Sequence, residues 1–290
     1  MGATPVEQGE ECSYEKRLCK DFVEQARLNG DPVHYGRAMA MEAETLGRLG
    51  NFEEALDVVE QIKYIYNIEE HHVAICKAYG SDRVAQAFSH SVNFNNALGR
   101  TSAALDACNF VVEQIIPKSN RENIHNMYCL CFAIAIFLNE NGLAMEAYDI
   151  FKTNVVDAFD KYFGQEGSTY SKPMFRPILT LLDLKGKEDQ DVEKIDEYMA
   201  WSLNEVNIDE KLPYEMTWAS FSASPKAILG EIFFSLAKRR EGIKSRSRLI
   251  EGATSLMLQS VENTQDLPYA NMHAKRKLDA IKEFAIKNGC

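Results

Sequence analysis

The sequence predicts an all-α fold, a stack of antiparallel helix pairs forming an α-solenoid. Three observations carry that prediction. First, glycine closes an apolar-periodic run and alanine follows five residues later at Gly50…Ala55, Gly99…Ala104 and Gly142…Ala147. Glycine past a helix end supplies a left-handed corner without a Cβ penalty, and a small alanine lets two helices approach closely. Second, those alanines are spaced 49 and then 43 residues apart, inside the roughly 20–50-residue range of stacked supersecondary units. Third, apolar residues recur at helical spacing, and strand-like alternation is sustained nowhere. One helix pair cannot bury its apolar face alone, so each neighbour must supply the other wall.

The elements follow in order. Met1 to Cys12 reads as a loose head, and 13–288 as a single α-solenoid domain. Ser13 caps a first helix whose Tyr14, Leu18, Phe22 and Ala26 share one face, ending at Asn29-Gly30. Asp31 caps the second, with Pro32 at its first position, where a missing N–H costs nothing. It runs to Leu49. Asn51, with Glu54 completing a capping box, opens a return helix from Phe52 to about Tyr66. Glu69 to Tyr79 is a shorter helix. Ser81 caps a helix through Leu98, and Ser102 to Ile116 returns. A strongly apolar helix opens at Asn120 or Arg121 and runs through Asn139, and Leu143 to Tyr162 returns. Repeats are regular over about 33–160 and degenerate over 171–288. Gly164–Thr169 reads as a connector, and Lys172 to Leu184 with Asp191 to Leu203 as a pair. Asn204 to Ser224 reads as a long connection, Pro225 to Arg240 with Ile243 to Val261 as another pair, and Pro268 to Lys287 as a capping helix.

Composition narrows the classes. The chain is 46% apolar and 26% charged, which suits a folded protein, and its net charge of −11 suits nucleic acid poorly. The 7 cysteines are odd in number and irregularly spaced, so no disulfide framework is expected and a reducing, cytoplasmic setting is. The longest apolar run, Tyr128 to Leu138, is too short to span a bilayer, so no membrane insertion is expected.

The corner residues resemble the tetratricopeptide repeat. Gly50, Phe52, Ala55 and Val59 fit its turn-and-second-helix pattern. Gly99, Ala104 and Cys108 fit with Thr101 in the aromatic place, and Gly142, Ala147 and Phe151 with Ala144 there. The resemblance implies a right-handed superhelix that binds a protein or peptide partner in a concave groove. Carried over by the turns, groove positions are Arg37, Ala40, Glu44 and Arg48, then Gln86, Ser89, Asn93 and Asn96, then Cys129, Phe132, Ile136, Asn139 and Glu140. Asparagine can donate and accept at once, as an extended peptide backbone requires. Removing Asn93 and Asn96 is then expected to weaken capture without lowering the melting temperature.

A narrower resemblance rests on Tyr79-Gly80-Ser81-Asp82-Arg83, Ile124-His125-Asn126, Tyr162 to Thr169 and Pro177 to Leu184. These stretches are similar to the helical C-terminal part of large algal signalling proteins, which carry AAA-type ATPase and often class III nucleotide cyclase modules. That similarity implies a helical sensor or scaffold part, associated with an ATPase or cyclase. The chain contains no Gly-x-x-x-x-Gly-Lys-Ser/Thr phosphate loop, so the similarity does not extend to the catalysis.

Other constellations read as structure. His71 and His72 diverge on a helix, so no metal is expected. Cys108, Cys129 and Cys131 read as small core residues. Asp157 with Asp160 reads as surface charge. The basic cluster Arg239, Arg240, Lys244, Arg246 and Arg248 suits phosphate, RNA, an acidic partner or a nuclear address; the favoured reading is cations at a helix C-terminus. No catalytic arrangement is defensible from spacing, and no cofactor is expected. The resulting expectation is a non-enzymatic scaffold, with regulatory binding of a small molecule or nucleotide as the alternative.

Overall fold

The computed structural model describes residues 5–163, 171–186, 225–239, 243–265 and 268–289. Every regular element among them is helical. The helices are α1 Pro5–Asn29, α2 Pro32–Arg48, α3 Phe52–Ile65, α4 Ile68–Tyr79, α5 Arg83–Ala97, α6 Thr101–Phe110 and α7 Ile124–Glu140. There follow α8 Ala144–Phe151, α9 Asp157–Phe163, α10 Ser171–Gly186, α11 Pro225–Arg239, α12 Ile243–Asn263 and α13 Pro268–Asn288. The expected helix over 191–203 and the connection over 204–224 lie outside the described residues. The chain divides into two compact units, Met1–Ala133 and Ile134–Cys290, and the division falls inside α7.

The three glycine corners close alike. Gly50, Gly99 and Gly142 have φ of 78, 73 and 81°. At each corner the residue after glycine donates its N–H five residues back: Asn51 to Leu46, Arg100 to Asn95 and Leu143 to Leu138, each at 2.9 Å. Each glycine N–H bonds three residues back, to Gly47, Asn96 and Asn139. This is the Schellman arrangement, and it satisfies carbonyls a helix end otherwise leaves bare. Ala55, Ala104 and Ala147 are each 0% exposed, as close helix approach requires.

Several ends differ from expectation. The first helix begins at Pro5, where proline fits a first turn, rather than at Ser13. Asp31 caps α2 as expected, accepting from the Val33 N–H. Asn51 makes no side-chain cap, because the Schellman turn sets the entry to α3. Asp82, not Ser81, caps α5. The return helices do not stay α-helical: Val111–Ile115 and Lys152–Val156 are π turns, whose wider coil carries α6 and α8 onward.

In the first unit α2 packs on α3, and α5 packs on both. Gly47 permits the α2–α5 approach, since a Cβ there would stand 2.4 Å from the Phe94 ring. The core around these helices includes Met39, Val59, Ile62, Phe88 and Val92. In the second unit α10 packs on α8 and α11, α11 on α12, and α12 on α13. Its core includes Phe151, Ile178, Leu181, Leu182, Ile232 and Met257.

Candidate functional site

The first unit is organised around a buried carboxylate. Asp82 is 0% exposed and lies at the start of α5. Its Oδ1 accepts from the Ala85 N–H at 3.0 Å, as an N-cap should. Its Oδ2 accepts from the Tyr66 hydroxyl at 2.5 Å and faces His72 Nδ1 at 2.7 Å. Its own N–H donates to Asn126 Oδ1, which also accepts from Gln86 Nε2. The Asp82 carboxylate thus ties together the α3 end, α4 and α5, and its backbone N–H adds α7.

His72 also accepts, at Nε2, the backbone N–H of Asn120 at 2.9 Å. Burial opposes the imidazolium, whereas Asp82 and Cys76 favour it. The Asn120 N–H also opposes the imidazolium, because a second ring proton would leave it facing a donor. The geometry therefore supports the neutral tautomer with its proton on Nδ1. Cys76 Sγ lies 3.7 Å from Nε2 and 3.9 Å from Nδ1. Nδ1 thus faces Asp82 and Nε2 the Asn120 backbone, so the ring ties α4 to the segment before α7. Burial, then Asp82, pushes the Tyr66 hydroxyl up, which keeps it a donor.

Beside this hub a 630 Å³ cleft opens between α3, α4, α5 and the α6 extension. Its floor is apolar, with Phe88 at 3%, Ile68 at 8% and Ile115 at 2% exposure. Phe88 meets Phe110 edge-on at 5.4 Å and Tyr66 at 6.0 Å, within the range of favourable ring pairs. Tyr64, also in the lining, is 88% exposed. Lys63, Lys118, Glu70, Asn67 and Gln114 supply the polar part. The π turn after α6 contributes Gln114 and Ile115 to the wall.

The groove residues expected from the turns are differently placed. Ser89, Asn93, Gln86 and Asn96 are buried, as is every α5 residue from Val84 to Asn96 except His90. Ser89 Oγ donates to the Leu130 carbonyl. Their polar ladder is interior and is not an exposed docking strip, because helices cover α5 on more than one side. Arg37 lies 3.8 Å over the Tyr79 ring, Glu44 pairs with Arg83, and Arg48 pairs with Glu15. Ala40, Phe132 and Ile136 are core, and Cys129 is half-buried. Asn139 is buried in the second unit.

Glu140 instead joins a buried charge cluster there. His273 Nδ1 lies 2.5 Å from Glu140, and Nε2 lies 2.9 Å from Glu231. Glu231 also meets Lys185 at 2.5 Å and Lys277 at 3.3 Å. Burial opposes the His273 imidazolium, but the two carboxylates outweigh it and raise the pKa. Burial opposes ionised Glu231, yet Lys185, Lys277 and His273 hold it well below the usual carboxylate range.

Two described members of the basic cluster have separate partners. Arg239 donates to the Leu184 carbonyl near the end of α10, a cation at a helix C-terminus. Arg246 reaches Asn288, and Arg248 is exposed. Arg240 and the Lys244 side chain lie outside the described residues. Likewise the Gly164–Thr169 loop lies outside them. Asp157 is paired with Lys152 at 2.8 Å.

His71 accepts the Asn67 N–H, and its ring lies 5.9 Å from that of Tyr66. Among the described residues no group of three His, Cys, Asp or Glu side chains converges as a metal site. Cys108 and Cys131 are buried and belong to no disulfide. No described helix is long and apolar enough to cross a membrane. Comparison with known protein families, curated proteins and solved structures finds no match to this chain.

The hub and the cleft were not anticipated from the sequence. Charge offered one signal: from Val84 to Gly99 no Asp, Glu, Lys or Arg occurs, a pattern suited to a helix buried all round.

Proposed function

We propose that the chain is a non-catalytic helical scaffold that binds a segment of a protein partner. The binding surface in this reading is the cleft between α3, α4, α5 and the α6 extension. One observation carries it: an open cleft with an aromatic floor and two partly exposed rings, Tyr64 and Phe110, at 88% and 37% exposure. Aromatic side chains left in contact with water at a concave surface are the usual anchors of recognition. The alike corners at Gly50, Gly99 and Gly142 support a tetratricopeptide-like stack. A role as sensor part of a signalling system, associated with an ATPase or nucleotide cyclase, belongs to the same proposal.

The test is selection of displayed random peptides on the full chain, with the Phe110→Lys chain as counter-target. Enrichment of sequences that bind wild type and lose the variant supports the reading. Peptides retained equally by both would remove the cleft from it. A second reading is regulatory binding of a small molecule or nucleotide. The 630 Å³ cleft favours it, since small-ligand sites span about 300–1,000 Å³. Thermal stabilisation by a nucleotide or small aromatic acid, without peptide enrichment, would select that reading.

A further inference from the structure

We infer that the cleft takes a bulky aromatic side chain with one carboxylate beside it, presented by an extended segment of the partner. This rests on the reading of the chain as a peptide-binding scaffold, and it names the chemistry of the segment bound.

The apolar half of the argument is the floor. Phe88, Ile68 and Ile115 are nearly closed to solvent, while Tyr66 and His71 are half-buried and Phe110 is exposed. The accessible ring surface for a flat guest is that of Tyr64 and of Phe110, which itself meets the buried Phe88 ring edge-on at 72°. Edge-to-face contact of this kind favours an aromatic guest over an aliphatic one.

The polar half is the pair of lysines. Lys63 and Lys118 both line the cleft, and Lys63 Nζ lies 5.8 Å from the Phe110 ring centre. Each is held by a glutamate that is not in the lining. Lys63 meets Glu60 at 2.5 Å, and Lys118 meets Glu69 at 3.1 Å. Those glutamates are 62% and 67% exposed. Exposed ion pairs contribute little and exchange readily, so a guest carboxylate can replace a glutamate that returns to water. Glu70 is the one carboxylate in the lining and limits the guest to a single nearby negative charge. Asn67 and Gln114 add amides suited to a peptide backbone.

The experiment titrates the full chain with acetylated, amidated hexapeptides carrying 4-fluorophenylalanine, read by fluorine NMR. Four peptides are compared: Phe-Asp, Phe-Asn, Phe-Lys and Ala-Asp at the central positions, the last reported by an N-terminal trifluoroacetyl group so that it carries no aromatic ring. The Phe-Asp peptide is expected to bind tightest, with the Phe-Asn peptide about fivefold weaker. Affinity for Phe-Asp should fall with added salt. Lys63→Glu with Lys118→Glu should abolish the preference for Asp over Asn while leaving the folded spectrum intact. Tyr64→Ala, at an exposed position, tests the ring surface without threatening the core. A Phe-Lys peptide binding as tightly as Phe-Asp, or unchanged binding by the double lysine variant, would overturn the inference. If display selection yields cleft-dependent peptides without acidic residues, the scaffold reading stands and this inference fails. If it yields none, both fail.

Discussion

Replacing His273 by glutamine should cost the second unit about 3 kcal/mol at pH 6. His273 is 1% exposed and lies between Glu140, at 12%, and Glu231, at 2%. Removing one partner from a buried ion cluster typically costs about 3–5 kcal/mol. The lower end applies because Lys185 and Lys277 still face Glu231 and are 26% and 21% exposed. For a unit of this size about 3 kcal/mol corresponds to roughly 6–12 °C in Tm. The pH dependence has a definite sign. The folded state raises the His273 pKa, so it binds the proton more tightly than the unfolded state does. That contribution is complete below about pH 6.5, the unfolded value, and fades as pH rises through the folded value. Glu140 and Glu231 are held down, so their contributions are present at neutral pH and are lost in acid. Urea unfolding of wild type and His273→Gln at pH 6, 7.5 and 9 measures this directly. The gap between them should narrow with rising pH. A gap that is absent at pH 6, or that widens toward pH 9, would refute the reasoning.

Two other substitutions test packing. Gly47→Ala sets a Cβ 2.4 Å from Phe94, whose ring also stacks on Phe52 at 5.8 Å. It should lower stability by about 1–3 kcal/mol in thermal unfolding, and an unchanged Tm would mean that α2 and α5 stand further apart. Asn93→Ala with Asn96→Ala should lower Tm measurably, because these side chains are 2% and 9% exposed. An unchanged Tm would return them to the surface.

Local features were legible in the sequence where one residue type answers one backbone demand. Gly50, Gly99 and Gly142 were readable because a left-handed corner excludes most side chains, and all three close as Schellman turns. Asp31 with Pro32 was equally local. The α5 cap was misassigned to Ser81 because Ser81 and Asp82 both suit the role, and only the three-way grip on Asp82 decides between them. The π turns left no sequence mark, since a wider hydrogen-bond step calls for no particular side chain. The repeat resemblance put the polar residues of α5 in a binding groove, but what decides burial is how many helices surround them. The cleft was hidden for the same reason. It draws on 63–71, Phe88 and 110–118, segments that no local pattern brings together.

Methyl spectra of isoleucine-labelled protein during titration with the Phe-Asp peptide test the cleft most directly. Ile68 and Ile115 line it, whereas Ile178 and Ile232 are buried in the second unit. Saturable shifts at Ile68 and Ile115, with Ile178 and Ile232 unmoved, are the predicted result. Shifts confined to the second unit would contradict it.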